Sequence, residues 1–296
     1  MSSEITTAHS EQYASNVELL LQQKPSRLRG SVRSSSYTGK SAQPVQQIGS
    51  IALSDWVRES DTPIINTPHD VRWLEPTTKH GAQLIDKHDF LRTIADFRSP
   101  YAETGAAAAN RAIDEIIIDA MFGSSKTGED KGTTVAWDTW VALSANTGHK
   151  VDSSGTNGMT VAKLRQAKKA LMIAEVDVDN DPLFVVLSAA QHDDLLGETL
   201  AASADYNTTP VLVDGRIRSF MGFNFIQTEL LPTDGNGDRR CSAFAQSGIA
   251  LGVFGDVMGR VTERDDKSFA TQVYTSVTVG ATRVEEKKMV EILCDE

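Results

Sequence analysis

The sequence predicts a mixed α+β fold, and three observations carry this prediction. A long helical pattern covers residues 99–123, strand patterns recur through the second half, and no strand–helix–strand rhythm connects them. With 296 residues the chain is long enough for one large domain or two. We therefore expect helices and sheets to mix without the regular alternation of a parallel α/β protein.

The first clear helix is the pattern at 99–123. Ser99 is a good N-cap, Pro100 loses only an N–H that would be unpaired, and Gly123 ends the pattern. An apolar stripe containing Ile113 and Ile117 faces away from the acidic side chains. About 22 residues at 1.5 Å each give a helix roughly 33 Å long, which suits a structural beam.

Further elements are expected downstream of this helix. Residues 160–174 form a second amphipathic helix, and 183–187 form a buried strand followed by a capping-box start at Ser188. Strands are also expected at 216–227 and 241–245. The C-terminal runs 269–279 and 288–294 favour long exposed strands packed on one side only.

The segments before the first helix are poor in core residues. Residues 11–23 can form a short helix that Pro25 ends, and residues 24–54 hold five basic and no acidic side chains. This second segment is either a disordered tail or an extended arm on an acidic neighbour. Short strand-like pieces at 47–53, 70–74 and 82–85 then predict a protruding β-loop, which needs a partner surface to stay ordered; another subunit is one such partner.

Composition limits the possible partners. Forty acidic against 29 basic residues give a net charge of -11, which argues against tight wrapping by nucleic acid. No window reaches the roughly 20 apolar residues of a membrane span, and the N-terminus lacks a secretion signal. We expect a protein made and kept in a cytosol. Cys241 and Cys294 lie in apolar strand-like runs, which indicates reduced core thiols.

The motifs that carry chemistry are incomplete. Asp177-Val-Asp179-Asn-Asp181 imitates a calcium loop, but Pro182 replaces the required glycine. The run 123–127 ends a helix, whereas a phosphate loop opens one. The segment 234–238 is typical of a hairpin tip, and the six histidines are scattered. We therefore expect no catalytic residue, no cofactor and no metal.

Several short motifs nevertheless occur in a characteristic order along most of the chain. They are Arg92-x-x-x-Asp96-x-x-Ser99-Pro-Tyr101, Asn110-Arg-Ala-x-Asp114, Arg216-x-x-Ser219-Phe-Met-Gly-Phe-Asn-Phe225, Arg239-Arg-Cys241, Asp266-Lys-Ser268, Thr271-Gln-Val-Tyr274, Gly280-Ala-Thr-Arg283-Val-Glu-Glu286 and Val290-Glu-Ile292. Together they resemble the major capsid proteins of tailed bacteriophages, which have the Hong Kong 97-like fold. The similarity runs from about residue 43 to the C-terminus, while the first 40 residues match only in character.

The resemblance implies a division of the chain. It comprises an N-terminal arm (1–45), an extended β-loop (46–90), a first peripheral part (91–150) that contains the spine helix 99–123, an axial domain (151–255) and a second peripheral part (256–296). The candidate intersubunit contacts are basic and aromatic residues of the arm, the loop and the C-terminal ribbons: Arg27, Arg29, Arg33, Trp56, Arg58, Arg72, Trp73, Lys79, Arg264 and Lys267.

The implied function is that of a major capsid protein, which self-assembles into pentamers and hexamers of an icosahedral head shell. The shell would enclose double-stranded DNA without sequence-specific binding. The expected partners are further copies, a separate scaffolding protein, a portal and a decoration or cement protein, with no membrane. The expected location is the virion capsid, after synthesis in the bacterial cytoplasm. An encapsulin-type nanocompartment, a gene-transfer-agent capsid and an enzyme of an unrecognised class stay open as alternatives.

Overall fold

The structure is a computed structural model. It describes residues 22–53, 55–56, 58–59, 61, 64–86, 98–143, 146–151, 157–198, 212–213 and 216–296. The helix predicted at 11–23 lies almost entirely outside these residues. The mixture of helices and sheets confirms the α+β prediction. The described helices are α1 (Arg98–Phe122), α2 (Trp137–Val141), α3 (Val161–Ile173) and α4 (Ala189–Gly197), with 3-10 turns at Thr147–His149, Gln246–Gly248, Asp265–Lys267 and Glu286–Lys288.

The strands are short in the first half of the chain and longest near its end. They are β1 (Arg33–Ser36), β2 (Ala42–Ile48), β3 (His69–Leu74), β4 (Thr77–Ile85), β5 (Ser124–Thr127), β6 (Thr133–Ala136), β7 (Lys150–Val151), β8 (Leu183–Leu187), β9 (Leu212–Val213), β10 (Arg216–Ile217), β11 (Ser219–Phe220), β12 (Phe223–Gln227), β13 (Arg239–Ala245), β14 (Ile249–Arg264), β15 (Ala270–Arg283) and β16 (Met289–Cys294).

The chain divides into two compact units. Among the described residues, the small unit holds 22–26, 78–86, 98–112 and 255–277, and the rest form the large unit. In the small unit β15 has β4 and β14 as its neighbours. A Cβ at Gly105 would collide with the Thr275 hydroxyl, so only glycine permits this close approach of α1 to β15. None of the helices in the described part of the chain could span a membrane.

The core of the large unit is a six-stranded sheet in the order β11-β12-β8-β13-β16-β7. β13 lies antiparallel to β8 and to β16, with Ala243 opposite both Val185 and Val290. Residues 289–294 are all buried because β16 has a strand on each side and lies within the sheet. The expectation of an exposed, one-sided strand at 288–294 is therefore wrong. The one-sided packing predicted for 269–279 agrees better with the structure, since Val273, Val277 and Val279 are buried.

A second sheet of the large unit has the order β2-β3-β5-β6. The strand predicted at 47–53 instead covers Ala42–Ile48, because β3 begins at His69 and Ile48 is the last residue that it pairs. The N–H of Gly49 donates to the Pro68 carbonyl at 2.8 Å and closes the ladder. Residues 49–68 connect β2 to β3, and we call the described residues among them (49–53, 55–56, 58–59, 61 and 64–68) the β2–β3 loop.

Candidate subunit interface

The β2–β3 loop exposes large apolar side chains. Leu53 is 88 % exposed, Trp56 is 83 % exposed and Ile64 is 93 % exposed. Ile51 and Ile65 of the same loop are also exposed. In a lone subunit these side chains lie in water, and an exposed apolar surface of this kind marks a site of contact with a partner.

The loop also carries net negative charge. Asp55, Glu59 and Asp61 are exposed acidic residues, and Arg58 is the only basic residue between positions 49 and 68. The Nε of Arg58 lies 3.6 Å from a carboxylate oxygen of Glu59, and both side chains are more than four-fifths exposed. Such a pair contributes little to stability. The loop therefore combines apolar side chains with acidic ones.

The described part of the N-terminal arm packs onto its own subunit. Leu28 and Val32 are buried, and β1 pairs with β14 in parallel. The fully buried Asp114 of α1 holds the start of this segment, since its two carboxylate oxygens accept the backbone N–H groups of Arg27 and Leu28 at 3.0 and 3.1 Å. A disordered tail is therefore excluded for these residues. Asp114 of α1 therefore holds the arm in place at Arg27 and Leu28.

In the small unit the preceding residues run along α1. The Arg111 guanidinium donates to the Gln22 side-chain oxygen at 3.0 Å, and the Asn110 amide donates to the Lys24 carbonyl at 3.0 Å. Lys24 also forms an ion pair with Glu103. The helix thus binds the arm through polar contacts over two turns.

Arg72 is committed to its own subunit. Its guanidinium donates two hydrogen bonds to Glu286, at 2.8 and 2.7 Å, and both side chains are nearly fully buried. The neighbouring Trp73 is half-buried, donates its indole N–H to the Gly128 carbonyl at 2.6 Å and has Lys131 over its ring. The structure therefore removes Arg72 from the accessible surface, and Trp73 is partly engaged.

The other predicted contact residues are more accessible. Arg27, Arg33, Trp56, Arg58, Lys79 and Lys267 are exposed, and Arg29 and Arg264 are half-buried. Several of them have partners within the chain: Arg27 donates to the Gln227 carbonyl, Arg58 lies beside Glu59, and Arg264 pairs with Asp266. Their role between subunits stays a prediction.

Arg283 is a structural residue whose role the motif alone did not reveal. One of its terminal nitrogens donates to the carbonyls of Ala120, Met121 and Gly123, at 2.8, 3.0 and 2.8 Å, and the other donates to Val135 at 3.0 Å. Burial lowers the pKa of this guanidinium to about 10, so it stays charged at neutral pH. The charge caps the C-terminal end of α1, where the helix dipole favours a cation.

A second buried charge lies in the six-stranded sheet. Glu291 is fully buried and accepts the indole N–H of Trp137 at 2.7 Å and the Nε–H of Arg240 at 2.5 Å. Burial opposes the charge of Arg240, but its bonds with Glu291 and Asp138 outweigh that effect and raise its pKa. The charged side chains of this region are thus paired within the chain.

The cysteines, the acidic turn at Asp177 and Lys126 form contacts within the fold. Cys241 and Cys294 are buried free thiols, as predicted. The Asp177 carboxylate accepts hydrogen bonds from the backbone and side chain of Asn180, at 3.2 and 2.8 Å, and so closes its own turn. Lys126 of the run 123–127 lies after α1 on strand β5 and pairs with Glu75. Among the described residues, no group of three or more His, Cys, Asp or Glu could hold a metal ion.

Comparison with known proteins identifies relatives of this architecture. The model of a family described as phage capsid protein matches residues 5–296. No curated protein matches the chain by sequence. The capsid of cyanophage P-SCSP1u aligns with a TM-score of 0.73 at 13 % identity, covering 100 % of this chain and 96 % of that chain.

Two further solved structures give the same result. The capsid asymmetric unit of cyanophage Pam1 aligns with a TM-score of 0.73 at 15 % identity, covering 98 % of this chain and 97 % of that chain. A structure of Mycobacterium phage Che8 aligns with a TM-score of 0.70 at 17 % identity, covering 96 % and 97 %. At these identities the likeness establishes a shared fold, and it spans nearly the whole of each chain.

Proposed function

This chain belongs to the phage capsid protein family, and from this premise we propose how its copies join and what the shell contains. It is a major capsid protein, and it self-assembles into the shell of the phage head. The finer proposal is that the copies form pentamers and hexamers of an icosahedral shell. The same two different patches of each copy meet around a ring, and such a heterologous contact closes when the rotation matches.

The exposed apolar side chains of the β2–β3 loop carry this proposal. Fully burying a Leu, Ile or Trp side chain stabilises a contact by about 2 kcal/mol. Leu53, Trp56 and Ile64 together therefore favour one contact by about 6 kcal/mol before the entropy of association is subtracted. Because each copy contributes such a contact, the shell is stabilised through multivalency.

We further propose that the shell encloses double-stranded DNA without sequence-specific binding. The net charge of -11 supports this, because an acidic wall would hold DNA without gripping it. A separate scaffolding protein, a portal and a decoration or cement protein complete the proposed partners, with synthesis in the host cytoplasm. We propose no catalytic turnover for this chain. We also propose that it divides into the extended loop and the axial and peripheral domains that the resemblance implies.

The test is the triple variant Leu53→Ser, Trp56→Ser, Ile64→Ser. These side chains are almost fully exposed in the subunit, so we expect a folded, soluble protein with an unchanged circular dichroism spectrum. Electron microscopy should show shells for the parent and none for the variant. Leu143→Ser is the matched control, because Leu143 is also exposed but lies outside the loop. Normal shells from the triple variant would refute the role of the loop.

A further inference from the structure

A second surface of the large unit combines exposed apolar side chains with positive charge. A shallow cleft of about 370 Å³ lies at the C-terminal end of α3. Its described lining consists of three cationic and three apolar residues, Arg165, Lys168, Lys169, Met172, Ile173 and Met221, and contains no acidic residue. Met172 is 56 % exposed and Ile173 is 71 % exposed. We call these six residues the α3 patch.

A strained turn places Met221 in this patch. Met221 and Gly222 connect β11 to β12 with φ values of 54° and 83°, which lie in the left-handed region. Asn or Gly is the usual residue at such a position, because a longer side chain there costs free energy. The Lys168 ammonium donates to the Met221 carbonyl at 2.8 Å and holds the turn. The chain thus accepts a strained residue that adds a third apolar side chain to the patch.

The composition of the patch narrows the choice of partner. A nucleic acid would use the three cations but would leave Met172 and Ile173 against phosphates. A segment with both acidic and large apolar side chains satisfies both halves of the surface, and the chain itself contains one. The β2–β3 loop exposes Leu53, Trp56 and Ile64 beside three acidic residues.

The α3 patch matches the charge and apolar side chains of the β2–β3 loop better than the basic arm does. The described part of the arm (residues 22–45) also carries cations, but its aliphatic residues Leu28 and Val32 are buried and do not reach a neighbour. The patch offers cations and exposed apolar side chains together. Because Trp56 is 83 % exposed, its own subunit does not cover it, and the α3 patch of the same copy is not its partner.

We propose that the α3 patch is the docking surface for the β2–β3 loop of a neighbouring copy. Asp55 and Asp61 of the loop face Arg165 and Lys169, and Trp56 lies on Met172 and Ile173. The contact is heterologous, so each copy gives one loop and receives another, as ring closure requires. This inference rests on the proposed assembly into shells and names the receiving surface.

A charge swap tests the electrostatic half of the contact. Arg165→Glu with Lys169→Glu should lower the yield of shells by about tenfold or more, and Asp55→Lys with Asp61→Lys should do the same, because like charges then meet. Combining all four substitutions should restore shells. Failure of the combination to restore them would overturn the proposal, as would rescue of the loop variant by Arg33→Glu with Lys40→Glu in the arm.

A cross-link tests proximity directly. In purified shells of Trp56→Cys with Ile173→Cys, oxidation of the two thiols by diamide should join neighbouring copies through a disulfide. A non-reducing gel should show a ladder that ends at five or six chains. Trp56→Cys with Leu143→Cys is the matched control and should stay monomeric on the gel.

The outcomes separate this inference from the proposed function. Shells that form but give no ladder for the 56–173 pair, including shells in which DNA or another protein covers the patch, would overturn the docking surface while leaving the function intact. A parent protein that forms no shells, alone or with its scaffolding protein, would instead refute the proposed assembly.

Discussion

Replacing Arg283 with methionine should destabilise the subunit strongly. The substitution keeps a long apolar stem but removes the donors to four carbonyls, three of which end α1. Leaving a buried acceptor unpaired costs about 1–3 kcal/mol. The four unpaired carbonyls together would cost more than one, but water entry and the removal of a buried charge offset part of this cost. We therefore expect a loss of about 3–5 kcal/mol in the free energy of unfolding, comparable to breaking a buried ion pair.

The assay is urea unfolding of unassembled subunits, carried out in the Leu53→Ser, Trp56→Ser, Ile64→Ser background to suppress assembly. Arg283→Lys keeps the charge with fewer donors and should fall between the parent and Arg283→Met. Arg260→Met changes an exposed arginine and should stay within about 0.5 kcal/mol of the parent. If Arg283→Met also stays within that range, the guanidinium does not cap the helix as described.

Three further predictions concern other buried or paired groups. Asp114→Ala leaves two arm N–H groups without their acceptor, so urea unfolding should show a loss of about 2–4 kcal/mol and proteolysis should begin in the arm. Burial lowers the pKa of His149 below 6.5, so its contribution to the free energy of unfolding is complete above pH 6.5 and falls at lower pH, where the unfolded state takes up the proton. His149→Phe should flatten this pH dependence of the free energy of unfolding. An unchanged slope would contradict the prediction. Burial raises the pKa of Glu296, but its bonds to Arg239 and Ser188 outweigh this effect and bring the pKa below 4.5. The stabilisation from these bonds is therefore present above pH 4.5 and is lost as the pH falls below it. Glu296→Gln should remove that acid-sensitive component, and an acid transition identical to the parent's would exclude it.

Local signals predicted the elements that depend on neighbouring residues. The strand at Leu183–Leu187 has the predicted bounds, and Ser188 and Gln191 form the capping box read from their spacing. The helix predicted at 160–174 appears as Val161–Ile173 with Thr160 as its N-cap. These features need only a few adjacent side chains, so the sequence carries enough information for them.

Features that depend on distant partners were not predictable in the same way. β2 ends at Ile48 because of where β3 begins, and β16 is buried because β13 and β7 flank it. The role of Arg283 depends on carbonyls about 150 residues earlier in the chain. Arg72 was expected at the surface, yet Glu286 holds it inside. A single sequence does not show which remote residues will be in contact, so strand register and buried ion pairs cannot be predicted from it.

The same limit applies to the interface. The sequence indicated a protruding loop that needs a partner, and the structure shows which of its side chains face water. The α3 patch was not identified from the sequence, because Met221 joins Met172 and Ile173 only through a turn about 50 residues later. The sequence predicted residues 160–174 only as an amphipathic helix, and this pattern did not indicate that Met172 and Ile173 would be exposed beside its cations.

A cryo-electron microscopy reconstruction of the assembled particle shows whether the β2–β3 loop joins the copies. We expect a closed shell in which Leu53, Trp56 and Ile64 of every copy are buried against a neighbouring copy. A closed shell that leaves these three side chains in solvent would contradict it, as would a protein that stays a monomer in the presence of its scaffolding protein.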